Sequence, residues 1–245
     1  MQLILGYIFS PIYYIAFGLT LAIFQPIQMI ARKAGGYKGH TQSVKILNYF
    51  LINIMYIMGV QMRFEGRELL PKDRPIIVVA NHQSLFDIQA YAHVFRKYDP
   101  KFVAKIELSK GIPSISYNLR HGGSALIDRN NGGQSIREII RLGKFIEKHN
   151  YAACIYAEGT RSTSGIVQKF QSAGVKSMLK VAPSAVVVPF AIKGHSDMMK
   201  KGKFPLMFGV KLTYKAMQPI EPEGRAAESI VEECEMLIKK ELGQA

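Results

Sequence analysis

The chain has 245 residues, room for one domain of ordinary size and a short appendage. Hydrophobic residues make up 48% and charged residues 20%, with no low-complexity tract, which excludes a disordered chain. The 32 basic and 18 acidic side chains leave a net charge of +14, an excess that points to a polyanionic partner, either nucleic acid or anionic lipid headgroups.

The N-terminus separates these two. No charged side chain occurs from Met1 to Ala31, and the run Ile8 to Ile30 is about as long as a bilayer's hydrocarbon core is thick. It has no basic stretch before it and no small-x-small cleavage site after it, so it does not read as a signal peptide. Pro11 and Pro26 are expected to bend or end helices within it. A second uncharged run, Ile46 to Met62, has 17 residues. Between the runs lie Arg32, Lys33, Lys38 and Lys45 with no acidic neighbour, which places the connecting loop on the cytoplasmic side. Two full crossings would then export about 180 residues that carry only Cys154 and Cys234, 80 apart and without metal-ligand spacing. Such cysteine usage fits a reducing compartment. A two-helix hairpin dipping into one leaflet removes the conflict. The competing interpretation, that one run is a buried core helix, is set aside because both runs adjoin and both precede the first strand signal. Residues 1–62 are therefore assigned to a membrane-embedded hairpin and residues 63–245 to the body, entered through a charged connector, 63–75, with two prolines.

Beyond the connector, short apolar runs alternate with helical patterns. Ile76–Ala80, rich in β-branched residues, predicts a buried strand, and Leu85–Lys97 a helix. Strands are expected at Lys101–Lys105 and Ser124–Asp128. An amphipathic helix follows over Ser135–His149, with its stripe at Ile136, Ile139, Ile140, Leu142, Phe145 and Ile146. Tyr151–Ala157 is a strand and Phe170–Val181 a helix ended by Pro183. Strands at Ser184–Lys193 and Val210–Ala216 and a helix at Ala226–Leu242 complete the chain. This order implies an α/β fold: a mixed, largely parallel sheet flanked by helices.

Ligands of such sheets bind beyond the carboxyl ends of the strands. At one exit stand His82 and Asp87. On a continuous helix they would point about 140° apart. With His82 in the turn and Asp87 on the helix they can meet, the arrangement of a general base and the carboxylate that orients it. Ser84 to Asp87 equally matches a helix capping box, with His82 a strand-end residue. At another exit, Glu158, Gly159, Thr160 and Arg161 suit either a phosphate grip or a surface turn closed by a Glu158–Arg161 ion pair. Arg129, beside Asp128, and Lys105 have the same two interpretations, phosphate ligand or solvated cation. Together these residues place one base and several cations on one sheet edge, as a phosphate-bearing substrate with a reactive hydroxyl requires. Gly-x-Ser-x-Gly, Walker A, Gly-x-Gly-x-x-Gly and His-Glu-x-x-His motifs are all missing from the sequence, so neither a nucleotide cofactor nor a metal is expected.

Asn81-His82-Gln83-Ser84-Leu85-Phe86-Asp87 resembles the His-x4-Asp motif of the glycerolipid acyltransferases, the 1-acylglycerol-3-phosphate acyltransferase group. Gly123 to Arg129, Ala157 to Ser162 and Val187-Val188-Pro189 resemble that family's further motifs in order, and Ala104 to Leu108 matches another of its segments. The resemblance covers residues 76 to about 195. It implies His82 as general base, Asp87 as its orienter, and Lys105, Arg129 and Arg161 as ligands of the acceptor phosphate. Glu158, Gly159 and Thr160 would shape that pocket. The third motif usually reads Pro-Glu-Gly-Thr, and Ala157 in place of the proline is expected to loosen the turn. The implied reaction moves a fatty acyl chain from acyl carrier protein or a CoA thioester to the sn-2 hydroxyl of lysophosphatidic acid, without a cofactor or acyl-enzyme. Related acceptors, glycerol 3-phosphate or lyso-ornithine lipid, and an inactive membrane scaffold retaining the motifs are the alternatives. The expected setting is the inner, cytoplasmic membrane, with the body on its cytoplasmic face against an anionic leaflet. Nucleic acid is discounted because the tyrosines lie mainly in the apolar N-terminus.

Overall fold

The computed structural model describes residues 1–244. Its first element, α1 (Gln2–Asn53), is two helical arms joined at Gly36, whose φ of 58° and ψ of −143° leave the helical region. Only glycine adopts that backbone without strain, which is why the turn falls here. Neither proline ends the first arm: of the bend or end expected from sequence, the end does not occur, because Pro11 and Pro26 lie inside continuous helix. The arms pack through Leu21 and Phe24 against Leu47 and Leu51, forming the expected hairpin. A 3-10 turn, Ile54–Met58, leads to β1 (Gln61–Glu65). The sheet thus starts inside what sequence reading treated as the end of the second apolar run and the start of the connector. QMRFE alternates exposed and half-buried residues, as an edge strand does.

The other elements are β2 (Ile76–Ala80), α2 (Asp87–Val94), β3 (Lys101–Lys105), α3 (Ile115–His121), β4 (Ala125–Ile127), α4 (Gly132–His149), β5 (Ala152–Tyr156), α5 (Ala173–Leu179), β6 (Val186–Lys193), α6 (His195–Met198), β7 (Lys211–Ala216) and α7 (Ala227–Leu242). The seven strands run in the order β1-β7-β6-β2-β5-β3-β4. Pairing is parallel throughout except between β6 and β7. All five residues of β2 are buried, because helices cover both of its faces. One layer of core joins Ile76, Val78 and Ala80 to Phe86, Tyr91 and Tyr13 of α1. The other joins Ile77 and Val79 to Leu142, Met178 and Ile230 beneath α4, α5 and α7. Each large aliphatic side chain so buried contributes roughly 1.5–3 kcal/mol.

The first arm of α1 has two apolar faces. Gly6, Ser10, Tyr13 and Phe24 are buried against the protein, and the Ser10 hydroxyl accepts the Leu206 amide at 2.9 Å. Ile4, Ile8, Ile12, Ile15, Leu19, Ile23, Ile27 and Ile30 face outward and are exposed. Their spacing of three and four residues makes one unbroken stripe.

Candidate active site

β2 ends in the middle of the sheet, and its exit carries His82. Asn81 ties β2 to β6 by giving its side-chain amide to the Ile192 carbonyl and accepting the Ile192 N–H, both at 2.8 Å. The next residue, His82, turns its ring toward α2, where Nδ1 lies 2.8 Å from Oδ2 of Asp87. The same oxygen accepts the amides of Gln83 and Ser84 at 2.7 and 3.0 Å, and the Ser84 hydroxyl donates to Oδ1 at 3.0 Å. Of the two interpretations of this segment, Asp87 takes the orienting one: α2 starts at Asp87 with Phe86 at its N-cap and no side-chain cap, so the expected capping box on Ser84 does not form. Burial alone would push the Asp87 carboxyl up. The His82 hydrogen bond, the two facing imidazoles and the Ser84 amide outweigh it and hold the group below the usual carboxylate range. An ionised carboxylate only accepts, so His82 carries its proton on Nδ1 and leaves Nε2 as the free base nitrogen. The His82 side chain is 16% exposed, enough for a substrate hydroxyl to reach it.

The loop leaving β5 holds His82 from the other side. Tyr156 stacks on the imidazole with centroids 4.0 Å apart and planes 15° apart. Oε1 of Glu158 accepts the His82 amide at 2.7 Å, and the Ser162 amide donates to the His82 carbonyl at 2.8 Å. The second Glu158 oxygen takes the Gln168 amide at 2.8 Å. Glu158 is thus buried and committed to backbone, which corrects the pairing with Arg161 considered from sequence: no ion pair joins them among the described residues. Burial pushes its carboxyl up against the pull of those two amides. Gly159 has a φ of +70°, closing a turn on the Tyr156 carbonyl. Ala157 stands where the motif usually has proline. Its N–H donates to the Ala80 carbonyl at 3.2 Å, a bond that proline, lacking the donor, could not make.

The cations follow in strand order. Arg161 leaves β5, Lys105 ends β3 and Arg129 follows β4, so they stand one, two and three strands from His82 along one sheet edge. All three are exposed, as are Gly159 and Thr160. None of the three cations is in an ion pair among the described residues. The arrangement is a partly exposed imidazole with a free Nε2 beside an open row of positive charge. It can take a proton from a hydroxyl whose neighbouring group is anionic.

A family model described as Acyltransferase matches residues 61–193, more than half of the chain. The chain belongs to this acyltransferase family. Among curated relatives, it is 23% identical to "1-acyl-sn-glycerol-3-phosphate acyltransferase alpha" of Ovis aries, over 76% of this chain and 63% of that protein. It is 31% identical to "Probable 1-acyl-sn-glycerol-3-phosphate acyltransferase" of Mycoplasma genitalium, over 66% of this chain and 60% of that protein. The chain thus spans less than two thirds of the length of both. The crystal structure of the 1-acyl-sn-glycerophosphate (LPA) acyltransferase PlsC from Thermotoga maritima superposes with a TM-score of 0.81 at 24% identity, covering 100% of this chain and 97% of that one. The fold, hairpin included, is therefore shared.

Four residues around His82 and Asp87 were not found by sequence reasoning: Ser84 as a ligand of Asp87, Tyr156 beneath the His82 ring, and His195 and Tyr214 behind Asp87. His195 is fully buried, with Nδ1 2.6 Å from Ser84 Oγ and 3.3 Å from Asp87 Oδ1. Its only sequence signal is a place just past the exit of β6, where Gly194 turns the chain at a φ of +97°.

Proposed function

We propose that the protein transfers a fatty acyl chain from a thioester to the sn-2 hydroxyl of lysophosphatidic acid, forming phosphatidic acid. The observation that carries this is the 2.8 Å His82–Asp87 pair at the head of a row of unpaired cations. His82 Nε2 accepts the hydroxyl proton as the oxygen attacks the thioester carbonyl, and Asp87 stabilises the imidazolium formed. The tetrahedral intermediate then expels the thiolate, which takes the proton back from Nε2. Arg161 and Lys105, with Arg129 at greater distance, bind the phosphate beside the reacting hydroxyl. The activated acyl group arrives on acyl carrier protein or CoA, and the mechanism draws on no bound cofactor or metal. The names of the relatives, each an acyltransferase for 1-acyl-sn-glycerol-3-phosphate, agree with this acceptor.

The hairpin supports a one-leaflet anchorage. Its first arm lies against the body from Gly6 to Gln25, through Leu206, Phe86 and Ser114, so it does not stand free to cross a bilayer. Its outward stripe is apolar, and the basic loop Lys200, Lys201, Lys203 with exposed Phe204 lies beside it, Phe204 meeting Tyr7 edge-on at 5.7 Å. This juxtaposition fits an anionic leaflet, with the hairpin in the acyl region and the lysines at the headgroups. The membrane we assign is the inner one, with the body on its cytoplasmic face.

The test is thiol release from an acyl thioester by purified protein in detergent, with and without lysophosphatidic acid, beside His82→Ala. Release that requires the lysolipid and disappears in the variant is expected. Release without acceptor would indicate a thioesterase. Activity only with lyso-ornithine lipid or glycerol 3-phosphate would replace the acceptor, and inactivity with all of them would leave a membrane scaffold.

A further inference from the structure

His195 is a buried imidazole for which the mechanism above has no use, and its surroundings fix its proton. Its amide donates to Gln83 Oε1 at 3.0 Å, so the residue is held against the His82 loop through backbone as well as ring. On one side Nδ1 faces Ser84 Oγ and Asp87 Oδ1 at 2.6 and 3.3 Å. On the other, Nε2 lies 2.6 Å from the hydroxyl of Tyr214. Burial lowers its basicity against the attraction of Asp87, so the ring is neutral and has one N–H to place.

Only one placement satisfies every partner. The Ser84 hydroxyl donates to Asp87 Oδ1 and already accepts the Phe86 amide at 3.0 Å. With the proton on His195 Nδ1, that N–H is shared by Ser84 Oγ and the carboxylate, and Nε2 accepts from Tyr214 O–H. With the proton on Nε2, the Nδ1 lone pair would face the Asp87 carboxylate, and it would also compete for the one proton of Ser84. The donors therefore run from Tyr214 to His195 to Asp87, and meet there the opposite run from His82.

We propose that His195 and Tyr214 are positioning residues for the transfer: by occupying Oδ1 of Asp87 with donors, they fix the carboxylate so that Oδ2 holds His82 in its Nδ1–H tautomer. This rests on the reaction proposed above, but the hydrogen-bond direction can be measured without it. The inference gives the antiparallel part of the sheet a task. Tyr214 lies on β7, stacked on Phe64 of β1 at 5.2 Å, so the two strands farthest from the cation row support the base from behind. The titratable groups facing Asp87 are His82, Cys154, Tyr156, Glu158, His195 and Tyr214, and Tyr214 also faces Tyr13 and Tyr56.

The test combines ¹⁵N-histidine NMR of the full chain in detergent with steady-state kinetics. A histidine signal lost in His195→Asn should report an Nδ1–H, Nε2-acceptor tautomer from pH 6 to 9, and in Tyr214→Phe it should keep Nδ1–H while its Nε2 shift moves toward that of a lone pair without a donor. Tyr214→Phe should lower kcat about 5-fold, leave the acceptor KM unchanged, and move the acid limb of kcat/KM upward, because His195 without its Tyr214 donor is a weaker donor to the carboxylate, which then favours the protonated base more strongly. His195→Leu should lose about 30-fold in kcat, whereas His195→Asn, whose side-chain N–H takes the place of Nδ1–H, should stay within about 3-fold of the parent. Equal losses in the Asn and Leu variants, an unchanged pH limb in Tyr214→Phe, or an Nε2–H signal in the parent would each overturn the proposal. If His195→Leu does not fold, Tyr214→Phe and His195→Asn decide alone. A parent protein that transfers no acyl group would refute the reaction, and the NMR result would still decide the direction of the network.

Discussion

Oε1 of Glu158 accepts the backbone N–H of His82 at 2.7 Å, so an acidic side chain from one strand exit holds the main chain of the proposed base at another. With its second oxygen on the Gln168 amide, this carboxylate has no oxygen left without a partner to shape a substrate pocket.

Replacing it therefore acts on the base. Glu158→Gln turns one acceptor into a donor that faces an N–H, and should lower kcat about 10-fold or more with the acceptor KM unchanged. Steady-state kinetics at varied lysophosphatidic acid checks this. A raised KM at constant kcat would instead give Glu158 the pocket role first expected from the motif.

The cation row predicts a ranking. Hydroxyl and phosphate sit on adjacent carbons of the acceptor, while strands stand about 4.8 Å apart. Arg161→Ala should raise the acceptor KM most, by about 10- to 100-fold, Lys105→Ala less, and Arg129→Ala least. The three KM values, measured side by side, would contradict the assignment if Arg129→Ala proved the most damaging.

Lys101 should leave a mark on stability against pH. It is 4% exposed, with Nζ over the rings of Tyr37, just past the hairpin's kink, and Tyr151 at 5.5 and 4.8 Å. Burial brings its ammonium down to about 8, against the pull of Asp99 and with the push of Lys45. The unfolded chain, with an ordinary lysine near 10.4, binds more protons than the folded one between these values. Stability therefore rises with pH above about 8, and is flat in this term below it, where both states are charged. By pH 9.5 the parent should gain about 2 kcal/mol relative to Lys101→Met. Parallel denaturation curves for the two from pH 7 to 9.5 would refute this.

The loop beside the hairpin predicts lipid dependence. Each basic residue at an anionic surface contributes about 1 kcal/mol, so removing the charges of Lys200, Lys201 and Lys203 together should weaken binding to phosphatidylglycerol vesicles about 100-fold at low salt. Binding to neutral vesicles should change little. Vesicle sedimentation of the triple Gln variant provides the comparison, and equal losses on both lipids would show that the loop supports folding only.

Much of this fold was legible because its strands are short, apolar and flanked by clear breakers. Lys101–Lys105 was placed to the residue, and Ile76–Ala80 followed from four branched side chains after Pro75. β1 was hidden because its alternating QMRFE abuts an apolar helix and its partner, β7, lies about 150 residues later. The His82–Asp87 contact was within reach, since a turn and one helical start fix both residues locally. His195 and Tyr214 were out of reach: their places beside Asp87 depend on β6 pairing with β2 and β7 with β6, and no local spacing encodes that. Gly36, rather than either proline, ended the first arm because its φ of 58° and ψ of −143° suit glycine alone, while Pro11 and Pro26 lie within continuous helix.

The outward stripe on that arm, from Ile4 to Ile30, extends about 39 Å at the rise of an α-helix. That exceeds the roughly 30 Å of a bilayer's hydrocarbon core, and with its other face packed on the body through Tyr13 and Phe86 the arm suits lying flat. A molecule held flat meets its two substrates in spaces of different dimension. In the reaction proposed above, the lysolipid reaches His82 by lateral drift within a plane, while the thioester comes from the aqueous volume above it. Turnover should then follow the mole fraction of acceptor in the surface, falling when inert lipid is added and staying constant when only water is.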